Sequence, residues 1–155
     1  MLGTSKEIKY PGLNVLPPGV ERHIVNGGGL TGFQIFPDDE IEIINNEGNQ
    51  ICEIICFDKD GNSDVGILNL KSNNEKNFII NILSGNDETI LATNYQLKKR
   101  NLKISNSKSS ILFDLDTKPG EKIKLKSKDK SYIIFSAPGN DMDAVSYTHL
   151  TLPTI

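Results

Sequence analysis

Cysteine and long apolar runs are both scarce in this chain of 155 residues, and each scarcity excludes a class of protein. Two cysteines cannot build the disulfide framework of a small secreted domain. No apolar run approaches the roughly 20 residues that span a bilayer, and residues 1–10 contain no apolar core of a signal peptide. We therefore expect a cytoplasmic protein with no membrane partner.

An excess of positive charge is also lacking. Seventeen Lys and Arg residues oppose 20 Asp and Glu residues, which gives a formal net charge of −3. A basic surface of the kind that binds nucleic acid is therefore not expected.

The C-terminal residues 145–155 look like the translation of a transposase sequencing adapter. A segment of that origin is foreign to the fold, so we expect it to pack poorly; the alternative is a natural β tail. We predict an N-terminal extension over residues 1–19, a β-rich domain over residues 20–143 and a non-native tail over residues 144–155. On this interpretation the natural gene continues further, the sequence is a truncated metagenomic fragment, and His23 is its only native histidine.

The strongest β pattern lies within residues 37–57. Two runs of mostly β-branched residues flank the turn sequence Asn45-Asn46-Glu47-Gly48, namely Ile41, Ile43 and Ile44 before it and Ile51, Ile54, Ile55 and Phe57 after it. Because Asn and Gly tolerate positive φ, this pattern predicts a β-hairpin.

The remaining pattern predicts more strands and a short helical region. Further strands are expected at residues 20–25, 33–36, 65–70, 102–104, 110–115, 121–126 and 131–136. Phe78, Ile79, Ile82 and Leu83 have the spacing of one helical face, although the same run also fits a buried strand. Ser84-x-x-Asp87 predicts a capping box for a second helix over about residues 87–100.

A weak internal repeat favours a particular architecture. Residues 37–44 align with residues 119–126, so that Ile41 matches Ile123 and Ile43 matches Leu125. The repeat favours two hairpins in a β-barrel or jelly-roll-like sandwich, while an accidental likeness of any two hairpins is the alternative. We predict one mainly β (α+β) domain with a small helical insertion.

The cysteines and His23 are the only soft metal ligands outside the tail. Cys52 and Cys56 lie four residues apart on a predicted strand and so face the same side. With His23 they would provide three ligands of the types that zinc prefers, but this spacing places the two sulfur atoms far apart. We predict buried free thiols that pack as small hydrophobic groups, and no metal or other cofactor in this fragment.

Glu53 is the strongest candidate for a site residue. It shares a strand face with Ile51, Ile55 and Phe57, and a carboxylate on an apolar face needs a partner. Arg22 or Arg100 would be suitable.

Two polar segments offer weaker candidates. Residues 58–64 have the composition of a calcium loop without its ligand spacing, which favours a solvated loop. Asn140 and Asp141 follow the last apolar strand of the β-rich domain and are placed to line a pocket mouth. No spacing of Ser, His and Asp indicates a catalytic triad.

Residues 37–57 resemble the urea-carboxylase-associated family, in which a Glu-Gly-Asn-Gln turn is followed three residues later by an aspartate. The matching residues here are Glu47-Gly48-Asn49-Gln50 and Glu53, and Pro17-Pro18-Gly19-Val20 is similar to the family's entry into its first strand. The resemblance implies a role in urea or guanidine breakdown, as in carboxyguanidine deiminase subunits. Where the family has a later His-Asp element, this chain has Asn140-Asp141 and no nearby cysteine, which argues against deiminase chemistry.

We predict ligand-binding roles for Glu53, Asn49, Gln50, Asn140 and Asp141, toward a small amine or guanidine-like compound. No catalytic residue follows from the resemblance.

The whole chain, including residues 136–142, also looks like the N-terminal part of marine bacterial fusion proteins. In these, such a domain precedes a glycine-cleavage T-protein-like aminomethyltransferase, which implies one-carbon transfer with tetrahydrofolate bound beyond residue 143. Three functions stay open. The chain is an accessory or small-molecule-binding domain of a longer amine- or one-carbon-metabolism protein, whose partner is the rest of its own chain; or a urea-carboxylase-associated enzyme domain; or a structural docking module.

Overall fold

The computed structural model describes residues 20–73, 78–113, 115–138 and 147–153, which form two β-sheets and a helical insertion. The strands are β1 Val20–Asn26, β2 Gly29–Ile35, β3 Glu40–Asn45, β4 Cys52–Phe57, β5 Ser109–Phe113, β6 Glu121–Lys126, β7 Ser131–Ala137 and β8 Tyr147–Pro153. The α-helices are α1 Phe78–Ile82 and α2 Glu88–Lys99, and 3-10 helices cover Val65–Leu68 and Ile104–Asn106.

The strand order is that of a jelly roll. Sheet A has the order β1-β8-β3-β6 and sheet B the order β2-β7-β4-β5, with antiparallel neighbours throughout. Apart from the step from β4 to β5, each described strand is followed in the chain by a strand of the other sheet. The predicted mainly β fold with a small helical insertion is confirmed, and it is a sandwich rather than a closed barrel.

The predicted hairpin of residues 37–57 is wrong, because β3 lies in sheet A and β4 in sheet B. The Asn/Gly cluster does form a turn, with Gly48 at φ +73° and Asn49 at φ +53°. However, the turn binds a different loop, since the N–H of Asn49 donates to the carbonyl oxygen of Thr117 at 2.8 Å. A turn between two apolar strands has the same sequence pattern whether the strands pair or pass into opposite sheets.

Each unit of the internal repeat is an arch, in which a strand of sheet A is followed by a strand of sheet B. The two arches pair with each other. β3 of the first arch pairs with β6 of the second, with Ile41 opposite Leu125 and Ile43 opposite Ile123. β4 pairs with β7, with Ile55 opposite Ile134. Each repeated unit therefore contributes one strand to each sheet.

The C-terminal tail was expected to pack poorly, and its removal to leave the melting temperature unchanged, but part of it is paired in a sheet. β8, within residues 145–155, lies between β1 and β3 in sheet A. All seven of its residues are in register with β1, from Val20 opposite Pro153 to Asn26 opposite Tyr147. Without β8 the neighbouring edges of β1 and β3 are open, and backbone pairing along an open edge makes few demands on side chains. The adapter origin of the segment stays a prediction.

β4 separates two hydrophobic cores, because both of its faces are buried. Cys52, Ile54 and Cys56 face the interior of the sandwich. Ile55 and Phe57 face the other way and pack with apolar residues of the helical insertion, among them Ile79, Ile90 and Leu97. The helices thus cover the outer face of sheet B.

The helical insertion matches the sequence pattern better than the segments around it. α1 and α2 confirm both predicted helices, but the N-cap of α2 is Asp87, whose Oδ1 accepts the N–H of Ile90 at 3.0 Å. The hydroxyl of Ser84 instead donates to the carbonyl oxygen of Asn81, so the predicted capping box is wrong.

Two predicted strands are wrong. The predicted strand at residues 65–70 is the 3-10 helix Val65–Leu68, and the one at residues 102–104 leads into the 3-10 helix Ile104–Asn106. None of the described helices combines the length and the apolar character needed to cross a membrane.

Candidate functional site

Glu53 lies on β4, on the face that is covered by the helical insertion, and its side chain is fully buried. Its Oε1 accepts the N–H of Ile79 at 2.7 Å, and its Oε2 accepts the N–H of Phe78 at 3.1 Å. The hydroxyl of Ser109, on the neighbouring strand β5, donates to the same Oε2 at 2.9 Å. One carboxylate therefore joins two strands of sheet B to the start of α1.

The expectation that Glu53 needs a polar partner is confirmed, and the donors are two backbone N–H groups and a hydroxyl. An N–H group in the first turn of a helix has no partner within the helix, and an anion there is favoured. Arg100 is placed elsewhere, and the side chain of Arg22 lies outside the described part. Glu53 thus has the contacts of a structural cap, and its predicted role in ligand binding stays a prediction.

Gln50 lies at the end of the turn that leads from β3 to β4. Both Gln50 and Asn45, the last residue of β3, are completely buried. Its Nε2 donates to the carbonyl oxygens of Ile51 and Pro138, both at 2.8 Å. The Nδ2 of Asn45 donates to the carbonyl oxygen of Gln50 at 2.8 Å. These acceptors fix which side-chain atom is nitrogen and which is oxygen.

The two amide oxygens of this pair, Asn45 Oδ1 and Gln50 Oε1, have no hydrogen-bond partner among the described residues. Buried acceptors without a donor are uncommon and costly. The end of the sandwich where β3, β4 and β7 meet therefore has capacity for a hydrogen-bond donor.

The other predicted binding residues are less well placed by the structure. Asn49 is exposed at the turn, and its backbone N–H is used by Thr117. Asn140 and Asp141 lie outside the described residues, shortly after Pro138 in the chain. Pro138 accepts a hydrogen bond from Gln50, so the described structure brings Gln50 to the start of the segment that holds these two residues.

The two cysteines are buried free thiols, as predicted. Burial raises the pKa of both, and the nearby Glu53 carboxylate raises that of Cys52 further, as Asp64 does for Cys56. His23 stacks on Phe33 with ring centroids 4.6 Å apart. Within the described ranges, no group of three or more His, Cys, Asp or Glu side chains has the arrangement of a metal site.

The acidic loop of residues 58–64 uses two of its carboxylates for its own backbone. Asp58 Oδ1 accepts the N–H groups of Asp60 and Asn62, each at 2.9 Å, and Asp64 Oδ1 accepts the N–H of Gly66 at 2.9 Å. These are the local side-chain to backbone bonds typical of Asp in turns.

A cleft of about 350 Å³ lies beside this loop and was not predicted from the sequence. Its walls come from four separate segments and include Gln34, Asp58, Arg100, Ser131 and Tyr132. Burial raises the pKa of the Tyr132 hydroxyl, while Arg100 acts in the opposite direction. No local motif marks such a site, because only the fold brings the four segments together.

Comparison with known proteins finds a relative of the chain but no matching protein-family model. No protein-family model matches the chain, so the urea-carboxylase-associated resemblance rests on its short motif alone. The chain is 31% identical over 136 residues to the trimethylamine-oxide aldolase of Ruegeria pomeroyi, and the alignment covers 88% of this chain and 17% of that enzyme. The chain therefore spans about a sixth of the length of this relative, and it is similar to one part of an amine-metabolism enzyme.

Proposed function

We propose that this chain is a domain of a longer amine-metabolism protein and that it binds a small amine- or guanidine-like compound without carrying out chemistry on it. The similarity to a limited part of an enzyme named for an amine oxide supports the metabolic context. The described residues offer binding groups but no arrangement of nucleophile, base and third residue that is typical of covalent catalysis.

The buried amide pair carries the proposal. Asn45 Oδ1 and Gln50 Oε1 both accept hydrogen bonds, both are buried, and neither has a described donor. A protonated amine or a guanidinium group offers N–H donors together with a positive charge, which favours amide oxygens as partners. A buried water is the competing occupant, since water commonly satisfies such groups.

Two cations of equal charge distinguish a bound amine from a bound water at the amide pair. Dimethylammonium and tetramethylammonium carry the same charge, but only the first has N–H donors. Added as chloride salts at equal millimolar concentration, dimethylammonium should raise the melting temperature by mass action, whereas tetramethylammonium should not. Guanidinium at the same low concentration should behave like dimethylammonium.

A variant tests whether the rise in melting temperature depends on the amide pair. Gln50→Met changes the length little but removes both the acceptor Oε1 and the two hydrogen bonds that Nε2 donates. It should abolish the shift that dimethylammonium causes. Gln34→Met, at a half-buried glutamine on β2 far from the pair, should retain it. If no cation shifts the melting temperature of the wild type, or if both cations shift it equally, the binding role is wrong and the structural docking module is the better account.

The activity of the whole protein is a second part of the proposal. An aldolase that acts on trimethylamine oxide, (CH3)3NO, can release (CH3)2NH and CH2O, which balances all atoms. Tetrahydrofolate bound beyond residue 143 would then be a suitable acceptor for the one-carbon product. Neither step is assigned to residues of this chain.

A chimera tests the relation to the longer enzyme. The segment of the Ruegeria pomeroyi aldolase that aligns with this chain is replaced by the chain, and the release of formaldehyde from trimethylamine oxide is measured. We expect a folded enzyme with measurable activity, and an inactive enzyme when the segment is deleted. A folded but inactive chimera would contradict an equivalent role.

A further inference from the structure

The cleft beside the acidic loop lies at the other end of sheet B from the buried amide pair. It is bordered by Ser131 at the start of β7, whereas the amide pair contacts Pro138 just after the end of β7. At about 3.4 Å per residue along a strand, the two places are roughly 20 Å apart. The volume of the cleft, about 350 Å³, is at the small end of the range for ligand pockets.

The positive side of the cleft is an oriented guanidinium group. Arg100 Nη1 donates to Gln34 Oε1 at 3.1 Å, and Arg100 Nε donates to Gln96 Oε1 at 3.2 Å. The guanidinium carbon lies 4.8 Å from the ring centroid of Tyr132. A guanidinium has five N–H groups, so the described bonds leave donors in a planar, solvent-exposed group that contacts three neighbours.

One residue of the lining has a buried hydroxyl. Ser131 lines the cleft and is only 3% exposed, and its Oγ has no hydrogen-bond partner among the described residues. A buried hydroxyl that lacks a partner is costly. Alternation along β7 places the side chain of Ser131 on the face of Ile133 and Phe135, which is the interior of the sandwich, whereas Tyr132 is on the face of the cleft. The hydroxyl is therefore not a binding group of the cleft.

The lining of the cleft also carries negative charge. Asp58 and Asp60 line the cleft, and the Asp58 carboxylate is held by the backbone of its own loop. Lys59 and Lys130 are exposed at the margin, and the ammonium of Lys130 also approaches the Phe36 ring at 5.9 Å. The lining of this small cleft thus includes both a cation, Arg100, and an anion, Asp58.

We propose that this cleft binds a small zwitterion of the amino-acid type. Its carboxylate meets Arg100, and its ammonium group meets Asp58. Arg is well suited to a carboxylate because its planar N–H groups match the two oxygens. The proposal does not depend on binding at the amide pair, and a different ligand class tests it.

Calorimetric titration of the purified chain with L-alanine and its two halves tests the ligand class. Propionate keeps the carboxylate and ethylamine keeps the ammonium group. L-alanine should bind most tightly. Absence of L-alanine binding, or propionate binding as tightly as L-alanine, would overturn the proposal.

Variants test the location. Arg100→Gln should weaken L-alanine binding roughly tenfold or more, as expected for the loss of a charge-assisted hydrogen bond. Lys99→Gln removes a neighbouring positive charge that lies over Tyr95 and outside the cleft, and it should leave binding unchanged. Asp58→Asn keeps a side-chain oxygen that can accept the loop N–H groups but removes the negative charge, and it should also weaken binding. L-alanine binding that survives in both Arg100→Gln and Asp58→Asn would refute this location.

Discussion

The carboxylate of Glu53 combines complete burial with three hydrogen bonds from described residues, two of them from the first N–H groups of α1. Its side chain is therefore a link between sheet B and the helical insertion. The sequence singled out Glu53 as a charge on an apolar strand face. A link of this kind requires such a charge, because it accepts the N–H groups of the helix.

Glu53→Gln should lower the free energy of unfolding by about 1–3 kcal/mol, because an amide N–H2 group then replaces an acceptor that faces donors. Urea unfolding measures the change. Glu47→Gln, at an exposed glutamate of the preceding turn, is the control and should have little effect. A Glu53→Gln variant as stable as this control would show that the three hydrogen bonds do not contribute to stability.

The two thiols give a second expectation at the residue scale. Burial is the main cause that raises the pKa of Cys52 and Cys56, so both stay protonated in the folded chain at pH values where an ordinary thiol, with a pKa of about 8.5, ionises. A thiol reagent at about pH 8.5 should therefore label them only after unfolding.

The same difference predicts the direction of a pH effect on stability. Above about pH 8.5 the unfolded thiols lose protons and the folded ones do not, so the free energy of unfolding should fall as pH rises. The double variant Cys52→Ala, Cys56→Ala should show a smaller fall. Rapid labelling of the folded wild type, or equal pH slopes for both proteins, would contradict the burial of the thiols.

At the scale of elements, the arch between β3 and β4 depends on a close approach between two turns. Gly48 has φ +73°, and a Cβ built on it would lie 2.6 Å from the carbonyl oxygen of Thr117 and 2.8 Å from the nitrogen of Pro119. Both neighbours are backbone atoms of the loop before β6, so neither can rotate away.

Gly48→Ala should therefore destabilise the fold more than Gly28→Ala does. Gly28 has a similar φ of +81°, but its Cβ would meet nothing within 4 Å. Gly28→Ala thus measures the backbone strain alone, about 1–2 kcal/mol, and the excess in Gly48→Ala measures the contact between the turns. Equal losses in chemical unfolding would show that the turns do not need to touch.

At the scale of the whole molecule, β8 completes sheet A. It pairs with β1 on one side and with β3 on the other. Without it β1 has no described partner in that sheet, and β3 retains only β6.

Deletion of residues 147–155 should consequently lower the melting temperature, because it removes the backbone pairing of a central strand. Deletion of residues 154–155 alone is the control. An unchanged melting temperature after the longer deletion would favour the interpretation of the tail as a foreign segment that contributes nothing to the fold.

The sequence by itself determined the elements whose signals are local. Alternation of β-branched residues indicated most of the strands, the spacing from Phe78 to Leu83 indicated α1, and Asn and Gly marked the turn at residues 45–49. The burial of the cysteines and the need of Glu53 for a partner also followed from the polarity of neighbouring positions. These features depend on residues a few positions apart, and the chain order alone supplies that information.

Only the tertiary structure decided how those elements combine. A turn between apolar strands does not specify whether the strands pair, so the arch was predicted as a hairpin. The partners of Glu53 come from residues 78, 79 and 109, and the cleft beside Arg100 needs four segments of the chain. Pairing, burial and charge complementarity over such sequence distances are set by the packing of two sheets, which no local pattern records.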